Sequence, residues 1–207
     1  FRVGIISQPD WHSADDFRKL GKPNLFFAVA SGNMDSMVNH YTAEKRPRSD
    51  DAYTAGAVAG KRPDRATTVY TQRAKEAYKG IPVIIGGIEA SLRRIAQYDH
   101  WSQNIRRSIL PDSKADLLLF GNAERAVVEV AHRIAAGEDI KKITDIRGTA
   151  FMRQGIPEGW TLLDSSEIDT DKSLKHPQAD PYADTSAKDT QGCNDKNDKT
   201  KSVKIDP

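Results

Sequence analysis

The run Pro82-Val83-Ile84-Ile85-Gly86-Gly87-Ile88-Glu89-Ala90-Ser91-Leu92-Arg93-Arg94 limits what this chain can fold into more than any other stretch. Its β-branched triplet predicts a strand, the paired glycines a tight turn, and the spacing beyond them a helix. A strand–turn–helix unit of this kind belongs at the carboxyl edge of an open α/β sheet, where ligands bind. There, glycines allow close backbone approach and a helix start offers N–H groups without partners in the helix.

Further short apolar runs at Val3–Ile6, Leu25–Ala30, Leu117–Phe120 and Thr149–Met152 are bounded by Gly, Pro, Asn or Asp and read as strands. They lack period-2 alternation, and helical patterns separate them. Both features fit buried, mostly parallel strands with helices on both faces of the sheet. Ser13 is expected to cap a short helix with Ala14, Phe17 and Leu20. Asn33 is expected to cap one with Met34, Met37, Val38 and Tyr41. Ala66, Val69, Tyr70, Ala74 and Ala77 recur at helical spacing. Leu92, Ile95 and Ala96 extend the helix after the glycine pair, and Asn122 caps a last one carrying Ala123, Ala126, Val127, Val130 and Ile134.

With 207 residues, 38% hydrophobic and 29% charged, the chain can bury one domain-sized core and carry a polar tail. The domain is expected over 1–152. Residues 153–207, rich in Asp, Lys, Ser and Thr, read as a disordered linker or tail because they offer too little apolar surface to offset ordering entropy. A net charge of +2 is too mild to point to nucleic acid. No run approaches the roughly 20 apolar residues of a membrane span, so a cytoplasmic location is expected. The chain starts with Phe and enters a strand-like run at once, as a piece of a longer polypeptide would. Its single cysteine, Cys193, excludes an internal disulfide and an all-cysteine metal site.

Gly86 and Gly87, with Ser91, Arg93 and Arg94, read either as a docking edge for an anionic or polar ligand or as a plain turn. Asn33, Asp35, Ser36 and Asn39 follow a buried strand and read as one wall of a polar pocket or as a helix cap with solvated neighbours. His40 suits a structural hydrogen bond, and Glu124 suits a helix first turn. Arg46, Arg48, Arg62 and Arg65, in the long loop from Arg46 to Pro63 and just beyond it, form a candidate basic lid; a solvated loop is the alternative. Asp10-Trp11-His12 begins like a cobalamin-binding D-x-H-x-x-G signature, but Asp15 occupies the glycine position. That difference makes His12 a surface or capping residue. No nucleophile triad, metal cluster or Walker motif is present.

Five segments, taken in order, closely resemble the amino-terminal region of YgiQ-like radical-SAM proteins. They are Gly4-Ile5-Ile6-Ser7-Gln8-Pro9-Asp10-Trp11, Ser31 through Thr42, Arg46 through Tyr53, Arg62 through Thr67, and Gly86 through Arg94 with Tyr98-Asp99-His100-Trp101. The likeness runs from about Arg2 to about Met152. It implies a flavodoxin-like or cobalamin-binding-like domain ahead of a radical-SAM barrel, in a protein holding a [4Fe–4S] cluster and S-adenosylmethionine. The family's C-x-x-x-C-x-x-C motif would lie downstream, and Cys193 stands alone. The chain by itself is therefore expected to be inactive, with no cofactor bound by its own residues. The edge residues are expected to bind a small-molecule substrate or shield the barrel. A stand-alone module for a phosphate, nucleotide or cobalamin-like ligand, or a scaffold, is the alternative.

Overall fold

The triplets Val83–Ile85 and Leu117–Leu119 occupy the centre of the molecule, every residue of both being buried. In the computed structural model, which describes residues 1–161, they are two of the strands. The elements in chain order are β1 (Phe27–Val29), α1 (Ser36–His40), α2 (Ala66–Ala77), β2 (Val83–Ile85), α3 (Gly87–Leu92), β3 (Gln97–Asp99), β4 (Asn104–Arg106), α4 (Ile109–Ser113), β5 (Leu117–Leu119), α5 (Glu124–Ala135) and β6 (Thr149–Ala150). Phe1–Gly155 form one unit. From the second unit, which begins at Ile156, the described residues include a turn closed by the Trp160 N–H on Pro157 O at 3.1 Å.

The main sheet runs β1-β2-β5-β6. β1 and β2 are parallel, pairing Phe27 with Val83 and Val29 with Ile85. β2 and β5 are parallel, pairing Ile84 with Leu117 and Ile85 with Leu118. β6 returns antiparallel to β5. The expected open, mostly parallel sheet is therefore present, with one antiparallel edge.

Side chains alternate across the sheet, so each central strand feeds two cores. Ile84, Leu117 and Leu119 pack with Ala126 and Val130 of α5 and with Ile140, Ile143 and Ile146. Ile85 and Leu118 meet Ala90 of α3 and Ile109 and Leu110 of α4, and Val83 meets Ala66, Tyr70 and Ala74 of α2 together with Phe17. Helices cover both faces. Each fully buried Ile or Leu here contributes about 1.5–3 kcal/mol, which is why these short strands are well determined.

Several local expectations are corrected. Val3–Ile6 forms no strand: Val3 and Ile5 are 82% and 83% exposed, and no neighbouring strand pairs with them. The helix expected after Ser13 is a single 3-10 turn, Asp16–Arg18. The Ser13 hydroxyl accepts the Asp15 N–H instead, and Leu20 is exposed. Asp35, not Asn33, caps α1, accepting the N–H groups of Met37 and Val38 at 2.9 and 3.3 Å. α3 stops at Leu92, leaving Ile95 and Ala96 outside it. Ala123, not Asn122, stands at the start of α5, without a side-chain cap. Of the tail expected to be disordered over 153–207, residues 162–207, Cys193 among them, fall outside the described residues.

Candidate functional site

Three loops leave the carboxyl ends of β1, β2 and β5 on one edge of the sheet. Gly87 adopts φ +80°, and a Cβ placed on it would lie 3.3 Å from Ala30 Cβ and 4.0 Å from Gly32 O. The glycine pair and the Gly32-Asn33 turn thus share a rim. The Gly86 N–H is already committed, donating to Val29 O at 3.0 Å. Asn33 and Gly87 are exposed on this rim, whereas Asp35, Ser36 and Asn39 are buried behind it.

Glu89 organises what lies beneath. It is fully buried; its Oε2 accepts the Ser36 N–H and its Oε1 the Thr67 N–H, each at 2.9 Å. The Ser36 hydroxyl accepts the Ala66 N–H at 3.1 Å. One carboxylate from α3 therefore satisfies donors in the first turns of α1 and α2, donors the helices cannot satisfy themselves. Sequence reasoning missed this residue, because a lone acid early in a helix already has a sufficient role in the dipole.

The arginines are mostly committed to acids. Arg93 donates to Asp35 Oδ2; burial pulls its pKa down, with Asp99 opposing that shift. Arg94 donates to Ser91 O at 2.7 Å and lies over the Phe120 ring, while the Ser91 hydroxyl donates to Gly87 O. Arg62 is buried and grips Asp51 with two bonds of 2.8 and 2.9 Å, and it also donates to Ser31 O. Burial alone would raise the Asp51 carboxyl, but Arg62, Asn39, the Tyr53 N–H and Thr54 together hold it well below its usual value. Arg65 donates to Asp99 Oδ2 at 2.7 Å. Burial tends to raise Asp99; Ser102 and Arg65 override it, so the net shift is downward. Only Arg46 and Arg48 of the four loop arginines are exposed, so the structure does not gather these residues into one cationic surface. The loop itself is folded back by the Asp51–Arg62 pair, by Gln8 Nε2 on Thr54 Oγ1 and by Trp11 Nε1 on Lys61 O.

Between α1, the start of α2 and the β3–β4 hairpin lies an open cleft of about 280 Å³, lined by Met37, Tyr41, Lys45, Arg65, Trp101 and Ser102. The Tyr41 and Trp101 rings are 5.3 Å apart and tilted. Lys45 donates to Trp101 O at 3.4 Å and Arg65 is held by Asp99, so the ammonium of Lys45 stands beside two aromatic surfaces, a combination suited to a small planar ligand with an anionic group. Tyr41 donates its O–H to Asp64 Oδ2, which together with burial raises its pKa; His40 Nδ1 meets the other oxygen of Asp64. His12, 2.6 Å from Asp10 Oδ1 and stacked on Trp11, is exposed and lies in its own local turn. Glu124 is exposed at the start of α5.

Among the described residues, no three His, Cys, Asp or Glu side chains stand together as a metal site. The three thiolates that a radical-SAM cluster takes do not exist in a chain with one cysteine, so these residues do not fit that cofactor. No helix among them is long and apolar enough to cross a membrane.

A family profile described as Radical SAM N-terminal matches residues 1–205. The chain belongs to the Radical SAM N-terminal family. Relatives of this Radical SAM N-terminal chain include a UPF0313 protein of Pseudomonas aeruginosa, 64% identical over 193 residues that make up 93% of this chain and 25% of the relative. The UPF0313 protein YgiQ of Escherichia coli K12 is 58% identical over 208 residues, covering 100% of this chain and 28% of its own length. The chain thus spans about a quarter of the curated relatives it matches. No solved structure matches it.

Proposed function

We infer that this is the amino-terminal accessory domain, residues 1–152 with a linker over 153–207, of a cytoplasmic radical-SAM enzyme. Its carboxyl edge faces a downstream barrel in the same polypeptide. There it helps bind a small-molecule substrate and closes the active site against solvent, a condition radical chemistry needs. The cluster and S-adenosylmethionine would be held by that barrel and would supply the radical chemistry there. The cleft beside α1 carries this reading: Lys45 offers charge and Tyr41 and Trp101 offer stacking faces, while Arg65 and Ser102, held on Asp99, complete its wall. Asp35, Ser36 and Arg93 act from behind, holding α1 and α3 in place, and Asn39 lies against Asp51, while Asn33, Gly86, Gly87, Ser91 and Arg94 form the adjoining rim.

Two experiments test it. Anaerobic iron–sulfur reconstitution of the longer polypeptide is expected to give a cluster chromophore and reductive cleavage of S-adenosylmethionine, while the 207-residue chain gives neither. A longer polypeptide that forms no cluster ends the radical-SAM reading. Calorimetry of the 207-residue chain with AMP is expected to show binding that Lys45→Ala and Trp101→Ala weaken. Heat from pyrophosphate equal to that from AMP would assign the cleft to bare anions, and silence from both would leave the edge a shield alone.

A further inference from the structure

A sheet with one face in water turns its apolar side chains inward and its polar ones outward. The β3–β4 hairpin does the opposite. Its register pairs Gln97 with Arg106, Tyr98 with Ile105 and Asp99 with Asn104. Tyr98 and Ile105 therefore share one face, and Gln97 and Asp99 lie on the other. The inner face holds Asp99, 5% exposed, and the Gln97 Oε1, which is buried without a partner. The outer face presents Tyr98 and Ile105, 64% and 79% exposed.

The inversion extends back into the preceding chain. Arg93 and Arg94 are drawn inward, onto Asp35 and over Phe120, while Leu92 and Ile95 on either side of them are 60% and 63% exposed. Polar anchoring fixes this arrangement: Arg65 and Ser102 both hold Asp99, and a one-residue slip would break both bonds. Polar groups here are buried at a cost, while four large apolar side chains remain in water. Exposed apolar side chains that recur along one short segment, Tyr98 and Ile105 being cross-strand neighbours, mark a surface that a partner covers.

The occupant follows from length. The relatives are about four times longer than the stretch they share with this chain, so most of such a polypeptide lies outside this domain and is tethered to it at high effective concentration. None of these four apolar side chains lines the cleft, which takes Arg65, Trp101 and Ser102 instead. We propose that Leu92, Ile95, Tyr98 and Ile105 form the surface on which the downstream part of the longer polypeptide docks. The proposal rests on the reading of this chain as one domain of that polypeptide.

Amide hydrogen exchange over residues 92–106 tests it, measured in the 207-residue chain and in the longer polypeptide. Exchange is expected to slow by at least about tenfold in the longer form, and Ile105→Glu is expected to abolish that protection. The same variant should leave the thermal midpoint of the 207-residue chain within about 2 °C, since its side chain is exposed there. Unchanged exchange over residues 92–99 and 104–106, with new protection at residues 41–45 and 101–102, would overturn the docking surface and leave the accessory-domain reading standing. No change anywhere in the chain would overturn both. A 207-residue chain that dimerises with its hairpin protected, and turns monomeric with Ile105→Glu, would assign the face to a second copy and overturn the proposal.

Discussion

Glu89 and Ser36, 53 positions apart in the chain, are joined by a buried bond of 2.9 Å from the Ser36 N–H to Glu89 Oε2. The other oxygen takes the Thr67 N–H, so both must be acceptors. Glu89→Gln keeps the shape but turns an NH2 toward one of the two N–H groups. We expect it to lower the urea-unfolding stability of the 207-residue chain by about 2–4 kcal/mol, because a buried donor then faces a donor. A loss below about 0.5 kcal/mol would mean the carboxylate does not tie the helices together.

The Asp51–Arg62 pair gives a pH signature. Asp51 keeps its proton less tightly in the folded state than at the usual 3.8 of a free carboxyl. Its contribution is therefore complete above that unfolded value and is lost as pH falls toward the lower folded one. Denaturant titrations from pH 7 downward are expected to show stability falling below about pH 5. Asp51→Asn, which strands a buried guanidinium, should cost about 3–5 kcal/mol at pH 7 and fall less steeply with acid. Some slope should persist, because Asp99 and Asp112 are also held low.

Where burial is total, the elements could be read from residue type alone. Val83–Ile85 and Leu117–Leu119 have no polar member, and the inward faces of α2 and α5 follow helical spacing. Where a distant partner decides, they could not. Asn33 reads as the cap of α1, but Asp35 takes that role with one oxygen while Arg93, 58 positions away, meets the other. Arg62 reads as loop charge until Asp51 encloses it. The hairpin hid for another reason: its turn uses Gln103 at φ +54° where glycine or asparagine would signal a turn, and its apolar pattern faces the wrong way. At the site, the shared rim was legible from the glycine turns; the cleft was not, because Trp101 reaches it only through that hairpin.

Gly87 is held by geometry as well as by any ligand. At φ +80° an L side chain is strained, and a Cβ would press on Ala30. Gly137, at φ +90° with no atom within 4 Å of such a Cβ, would suffer the backbone cost alone. Gly137→Ala is expected to lose about 1 kcal/mol and Gly87→Ala about 2 kcal/mol in thermal or denaturant unfolding. Equal losses would show that Ala30 yields without cost. A charged residue at Gly87 is then no clean probe of ligand binding.

Tyr70 should be improved by losing its hydroxyl. The ring packs beside Phe17 at 6.1 Å, and the residue is 5% exposed. Its O–H is buried without a hydrogen-bond partner, and burial raises its pKa to about 12, with Glu89 and Asp51 adding to the shift and Arg62 opposing it. In the unfolded chain that hydroxyl is hydrated; in the folded one it is buried and no protein group bonds it, so its burial costs stability. Tyr70→Phe keeps the ring and removes the penalty. It is expected to raise unfolding stability by about 1 kcal/mol, and spectrophotometric titration should show one fewer tyrosine ionising near pH 12. A destabilised variant would show that the hydroxyl has a partner within the polar cluster of Arg62, Asp51 and Glu89.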